Sequence, residues 1–519
     1  MMVSDELIKY IELRGIKTPE SRRRFLFPRL SDHYDPYLLN DMQRAVDALI
    51  NALKRRHKIL VWGHADLDGI ASASLLKLAL EDLGASNVMI RIPAGDDTEG
   101  FGLEQNEMEN FAAKGGNLIV TVDVGVTNTA EALTAKSLGL DLIITDHHEI
   151  VDSMPQAIVI NPKIPLSKYP WRELSGSGVV LKVVCALYNK LVGLSIEELN
   201  LLKPHYWIFS ALGTISDRCP LIDENRLIVK EGMARLRSGI WPSLNVWLAE
   251  MGFDAESLSV FDLYSRGIAP FYAADPEEGV KLLLSFDDEW LHNRYGELKG
   301  LALEWQRGKQ KMIDLAEKLA RQIGGVIVTV SDKIDSDYLG TVAHALRERY
   351  NLPAMALTPR REGLWHAECR GLEGTDLLGY LTLFKDMFLT FGGHKKACGF
   401  TVKQGRLDEF LEMLENQPLE VGDEKEKVND EVFVLGIKGD LSDWILLSPF
   451  GEGNPPPRFL AHRVILEETY DGYKADGVQV YIPLALRPLS QRKSVVDIEY
   501  TINTDGKIRL LSIVQSSKS

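Results

Sequence analysis

The stretch from Lys58 to Thr145 most constrains the fold, because short β-branched runs alternate there with segments of helical period. The runs KILVWG, VMIRIP, LIVTVD and DLIITD are almost uninterrupted, which predicts strands buried on both faces of a parallel sheet. Between them IASASLLKLALEDLG, LEQNEMENFAAKG and NTAEALTAKSLG predict crossover helices, the first and last closed by glycine. The expected architecture is a doubly wound α/β domain over residues 58–230.

A chain of 519 residues has room for several such cores. Residues 1–57 read as an N-terminal helical extension, broken at Pro28 and Pro36. Residues 231–322 read as a helical connector ending in one long amphipathic helix, LALEWQRGKQKMIDLAEKLARQIGG. A second α/β domain is expected over 323–420, opening with GGVIVTVSD. The charged stretch 421–430 reads as a linker. Over 431–519, EVFVLGI, RFLAHRVILEETY, VQVYIPLAL, VVDIEYTI and IRLLSIVQ predict five or so short strands, which suit a small barrel of OB type and nearly as well a generic small sandwich.

Lys and Arg number 59 against 74 Asp and Glu, a formal charge of −15 that argues against coating nucleic acid or an anionic membrane through the overall field. The four cysteines, Cys185, Cys219, Cys369 and Cys398, form no C-x-x-C pair, so neither a disulfide framework nor a cysteine zinc site is signalled. With an acidic N-terminus and no run of 18 apolar residues, the expected location is the cytoplasm, with no membrane partner.

Ligands of open α/β sheets bind beyond the C-terminal ends of the strands. After KILVWG comes His64-Ala65-Asp66-Leu67-Asp68-Gly69; Asp123 follows LIVTV, and Asp146-His147-His148 follows DLIIT. A single strand-end Asp is usually a cap or turn residue, and a lone His-His pair usually lies on the surface. Three strand ends delivering carboxylate and imidazole together, without thiolate, point to a hard divalent cation, Mn2+ or Mg2+. No phosphate-cradling G-x-x-x-x-G-K and no Ser-His-Asp order is present.

These motifs resemble the DHH phosphoesterases, and within them the RecJ-like single-strand-specific exonucleases. The resemblance rests on His64–Gly69, Val122–Gly125, Asp146–His148, Gly213–Leu221 (GTISDRCPL) and, in the DHHA1 part, Phe391–Phe400 (FGGHKKACGF). Further matching stretches are LSGSGVVLK at 174–182, Asn225-Arg226 and SPFGEGNPPPRF at 448–459. It implies a DHH catalytic domain, a DHHA1 substrate-binding domain and an OB-like nucleic-acid-binding tail. By the resemblance Asp66, Asp68, Asp123, His147 and Asp217 are ligands of two divalent cations, usually manganese, with Asp123 bridging. His64 stands where RecJ proteins usually open the motif with aspartate, and imidazole is a competent replacement ligand. His148 takes the position that meets the scissile phosphate, and Arg370, Gly392, Gly393 and His394 take substrate-binding positions. The implied activity is 5′ to 3′ hydrolysis of single-stranded DNA in repair and recombination, with single-stranded-DNA-binding protein and a helicase as partners by analogy.

Departures from the family pattern cluster at recognition of the 5′ end. Ile92-Pro93-Ala94-Gly95-Asp96-Asp97 lacks the family arginine of P-x-R, and Ile268-Ala269-Pro270 is not followed by N-A-x-G-R. Glu368 replaces a serine two places before Arg370. A weakened or different preference for a 5′-phosphorylated end is therefore expected. Two other readings stay open: a phosphoesterase for short RNA or cyclic dinucleotides, and a non-catalytic DNA-associated scaffold.

Overall fold

The structure is a computed structural model describing residues 3–93, 102–150, 153–361, 363–372, 374–393, 395–419, 432–470, 472–483, 486, 493–503 and 506–515. The expected strands form as β1 (Ile59–Gly63), β2 (Val88–Arg91), β3 (Leu118–Val122) and β4 (Asp141–Thr145). A fifth, β5 (Ile158–Ile160), is too short a run to stand out in the sequence. All pair in parallel in the order β2-β1-β3-β4-β5. Alternate residues face different layers: Ile59 and Val61 join the core under helices Leu67–Asp82 and Gly176–Val192, while Leu60 and Trp62 pack with Met108, Phe111, Ala132 and Ala135 of the helices opposite. Two buried faces explain the unbroken apolar runs.

The chain divides into two compact units, one of residues 1–299 with 428–519 and one of residues 300–427. In the first unit the segment after residue 230 belongs to the core of the parallel sheet, to which it contributes Trp241, Trp247, Leu282, Tyr295 and Leu298. The amphipathic helix is 32 residues long, Asp288–Leu319, and runs through the division.

The tail is a closed five-stranded barrel. Strands Arg458–Thr469, Gly472–Ala475, Val478–Tyr481, Ile508–Gln515 and Lys493–Ile502 neighbour one another in that order, and the first and last pair to close it. Val478–Tyr481 and Ile508–Gln515, third and fifth along the chain, pair in parallel, as in an OB-fold. Its core is not self-contained. Leu7, Tyr10, Ile11, Phe25 and Leu26 pack in one cluster with Phe459, Val464, Ile498 and Tyr500. The N-terminal stretch thus divides between two cores, for helix Met42–Lys54 buries Val46 and Leu49 against the parallel-sheet domain. Buried Arg226 holds the junction, donating to the carbonyls of Phe25, Leu446, Leu447 and Ser448.

The second unit carries a six-stranded mixed sheet ordered Phe388–Gly393, Ala397–Lys403, Leu364–Arg370, Ala354–Arg361, Val326–Val330, Arg321–Ile323. Helices Leu339–Tyr350 and Leu407–Asn416 supply apolar residues to the clusters on it. The expected linker 421–430 lies outside the described residues. Among the described residues no single helix is long and apolar enough to cross a membrane.

Candidate metal centre

In the order β2-β1-β3-β4-β5 the connections diverge between β1 and β3, which opens a crevice beyond their C-terminal ends. The chain after β1 turns straight into helix Leu67–Asp82. Asp66 is its N-cap and accepts from Gly69 N at 2.9 Å, which fixes one carboxylate oxygen at the crevice. His64 Nδ1 lies 3.1 Å from Asp66 Oδ2 and 4.0 Å from Asp123 Oδ2.

Asp123 follows β3 with φ of 61°, a left-handed backbone that Asp tolerates better than most residues. Its N–H donates to Thr145 O at 2.9 Å, tying it to the end of β4. His147 follows β4 and brings Nε2 within 3.1 Å of Asp123 Oδ1 and 3.6 Å of Asp217 Oδ2. Asp217 caps the C-terminal end of helix His205–Ser216 and accepts from Cys219 Sγ at 3.2 Å. Ligand atoms of His64, Asp66 and Asp123 lie within 4.8 Å of one another, as do those of Asp123, His147 and His148, and of His147, Asp217 and Cys219.

Asp68 lies in the same field, yet both its oxygens already accept backbone N–H groups, from Gly176 at 2.7 Å and Ser177 at 2.9 Å. Those donors open helix Gly176–Val192, whose N-terminus favours a carboxylate. A Cβ on Gly176 would sit 2.5 Å from Asp123 Cβ, and one on Gly213 would sit 2.1 Å from Asp68 Oδ1. Only glycine lets these helices approach the carboxylates so closely.

The charges are crowded. Burial, then the neighbouring Asp217 and Asp66 carboxylates, push Asp68 up to about 7. Burial and Asp66 push Asp217 up to about 6, and Asp123 is raised by burial and by Asp68, Asp66 and Asp217. Asp66 goes the other way, for the adjacent His64 outweighs its burial. Burial alone would lower His148, but Asp146 at 2.7 Å from Nδ1 pushes it up to about 9.

These residues fit divalent cations. Carboxylate and imidazole are the donors that such ions take, and Asp123 Oδ1, in a residue only 1% exposed, has no hydrogen-bond partner. Asp146, which the sequence places in the strand-end motif without a role of its own, is buried and accepts from Val126 N, His147 N and His148 N as well as from the His148 ring. It orients both histidines.

In the second unit Arg370 donates to Glu368 Oε2 at 2.9 Å, so the glutamate occupies the guanidinium. Glu368 pairs across the sheet with Gly399, and Gly399 with Gly392. Arg370, Gly392 and Gly393 therefore share one sheet patch, although the FGG stretch is a strand end and not a free loop. His394 lies outside the described residues, as do Ala94 to Asp97. Of the tail aromatics, Phe459 is core, Tyr473 is partly buried, and Tyr470 and Tyr481 are exposed.

The model of the DHH family, N-terminal domain, matches residues 58–214, and that of the DHHA1 domain matches 309–417. The single-stranded-DNA-specific exonuclease RecJ of Bacillus subtilis is 32% identical over 512 residues, 95% of this chain, and the chain spans 62% of that relative's length. The RecJ of Salmonella typhimurium is 30% identical over 394 residues, which cover 72% of this chain and 68% of that protein. A crystal structure of exonuclease RecJ bound to manganese superposes with a TM-score of 0.62 at 27% identity, over 75% of this chain and 98% of the other. Matching family models in the right order and a relative alike over two thirds of its length lead to one conclusion: the chain belongs to the DHH–DHHA1 family, in its RecJ branch.

Proposed function

We propose that the chain is a divalent-cation-dependent exonuclease that hydrolyses phosphodiester bonds of single-stranded DNA, 5′ to 3′ as in its family. The observation that carries this reading is the convergence of His64, Asp66, Asp68, Asp123, His147 and Asp217 at one sheet edge, with the buried Asp123 among them. Those six would hold two cations, with Asp123 between them, and the mixed carboxylate–imidazole donors suit Mn2+ best, with Mg2+ as the alternative. Such cations polarise phosphoryl oxygens, activate water and stabilise the leaving oxygen.

The chain's own groups do the rest. His148, protonated near neutral pH because Asp146 faces it, can donate to a non-bridging oxygen of the scissile phosphate. Asp146 fixes both strand-end histidines through their backbone N–H groups, so the site is organised before substrate arrives. Asp68, locked to the N-terminus of helix Gly176–Val192, keeps its carboxylate from rotating. On the second unit Arg370, Gly392, Gly393 and His394 would hold the DNA backbone. The ion pair between Arg370 and Glu368 supports weakened recognition of a 5′ phosphate. Comparing 5′-phosphate, 5′-hydroxyl and 3′-blocked strands tests that point, and a strong 5′-phosphate requirement would contradict it.

The function itself is tested by incubating end-labelled single strands, duplexes and dinucleotides with Mn2+, with Mg2+ and with EDTA. Stepwise loss of single strands with cation, none with EDTA and little from duplexes is expected. Cleavage of dinucleotides alone would replace the reading by a short-RNA phosphoesterase, and no cleavage with any cation would leave a scaffold.

A further inference from the structure

One residue beside the cluster has no place in carboxylate and imidazole chemistry. Cys219, 7% exposed, points its Sγ at Asp217 Oδ2 from 3.2 Å, and that oxygen lies 3.6 Å from His147 Nε2. Sulfur, nitrogen and oxygen all lie within 4.8 Å of one another. A tetrahedral zinc ion with bonds of about 2.3 Å to sulfur and 2.0–2.2 Å to nitrogen and oxygen sets its ligand atoms about 3.4–3.6 Å apart. The nitrogen–oxygen edge of 3.6 Å fits that spacing, and the sulfur–oxygen edge of 3.2 Å is the somewhat shorter one of the thiol's hydrogen bond. A second observation points to the same place: Asp123 Oδ1, buried and without a hydrogen-bond partner, lies 3.1 Å from the same His147 nitrogen.

We propose that Cys219, with His147 and Asp217, makes one end of the metal centre a site for thiophilic divalent cations, so that Zn2+ and Cd2+ compete there with the hard ion the reaction uses. The inference rests on reading the cluster as a metal centre. A hard ion leaves the thiol protonated and donating to Asp217. A soft ion forms a metal–sulfur bond, the S–H bond breaks and its proton leaves to solvent, with no change of oxidation state. The sequence gives no warning of such a site, because Cys219 has no partner cysteine at metal-ligand spacing.

Titration of Cd2+ into the EDTA-stripped chain of 519 residues without substrate reads the near-ultraviolet sulfur-to-cadmium charge-transfer band. The wild type gains a one-thiolate band that Cys219→Ser lacks, and the serine variant binds Zn2+ at least about 10-fold more weakly in competition with a chromophoric chelator. Asp217→Asn, which keeps the thiol, shifts the band to higher Cd2+. If Cys219→Ser does not fold, Cys219→Ala gives the same readout. An undiminished band in the cysteine variants, which would place the metal on Cys369 and Cys398, cross-strand partners in the second unit, overturns the proposal. So does a wild type that cleaves with Mn2+ yet shows no band. A wild type with the band but no cleavage supports the thiolate site and overturns the nuclease reading alone.

Discussion

Asp146 and Gly213 show how much of the candidate centre depends on residues packed behind its carboxylates and imidazoles. Asp146 accepts three backbone N–H groups and one ring nitrogen, so Asp146→Asn keeps the shape while loosening both histidines. A loss of about 10–100-fold in kcat with little change in Tm is expected, the size seen when orienting partners of metal sites are removed, and steady-state rates beside a thermal melt check it. Gly213→Ala puts a methyl 2.1 Å from Asp68 Oδ1 and should cost about 1–3 kcal/mol in denaturant unfolding, together with cation affinity. Unchanged stability and affinity would contradict the packing described. Asp66, Asp123 and His147 were legible because strand ends announce ligand positions. The orienting role of Asp146 and the amides of Gly176 and Ser177 were not, because they depend on contacts such as the one 108 residues back to Asp68.

At the scale of elements, a buried polar network ties the N-terminal stretch to helices Gly176–Val192 and Asp223–Arg237. Glu224 accepts from Lys182 Nζ at 2.7 Å, from Tyr34 N at 3.1 Å and from the Tyr169 hydroxyl at 2.5 Å, and pairs with His33 Nδ1 at 2.8 Å. Burial is opposed by Lys182 and His33, which hold Glu224 down to about 2, while burial lowers His33 despite Glu224. Both folded values lie below the unfolded ones, so in both cases the unfolded chain binds more protons as the solution is acidified. The stability that His33 contributes through this network is therefore full above pH 6.5, its ordinary value, and falls below it. The Glu224 part is lost later, between its ordinary 4.5 and about 2. Urea midpoints across pH 5–8 check the sign, and His33→Gln should flatten the upper part of the curve. Glu224→Gln strands the Lys182 charge and should cost about 3–5 kcal/mol. Apart from Lys182, which closes the LSGSGVVLK stretch, none of these residues stood out in the sequence, since each looks like an ordinary polar residue until the helices bring them together.

For the whole molecule, the order of domains could be read from periodicity, because strands buried on two faces and short barrel strands carry different patterns. The ownership of the N-terminal helices could not, since an amphipathic face names no partner: Leu7, Tyr10 and Ile11 cover the barrel core hundreds of residues away. Deleting residues 430–519 should therefore destabilise the rest of the chain by baring that face, and not merely weaken DNA binding. Calorimetry of the truncated chain, compared with a Tyr481→Ala variant on the exposed barrel surface, separates the two effects. The acidic total of −15 is compatible with a nucleic-acid substrate once four carboxylates, Asp66, Asp68, Asp123 and Asp217, are counted as balanced by cations. Calorimetric titration of Mn2+ into the stripped chain tests that account most directly. Two ions per wild-type chain and loss of binding in Asp123→Ala are predicted; undiminished binding in Asp123→Ala, or cleavage by a chain that binds no cation, would contradict it.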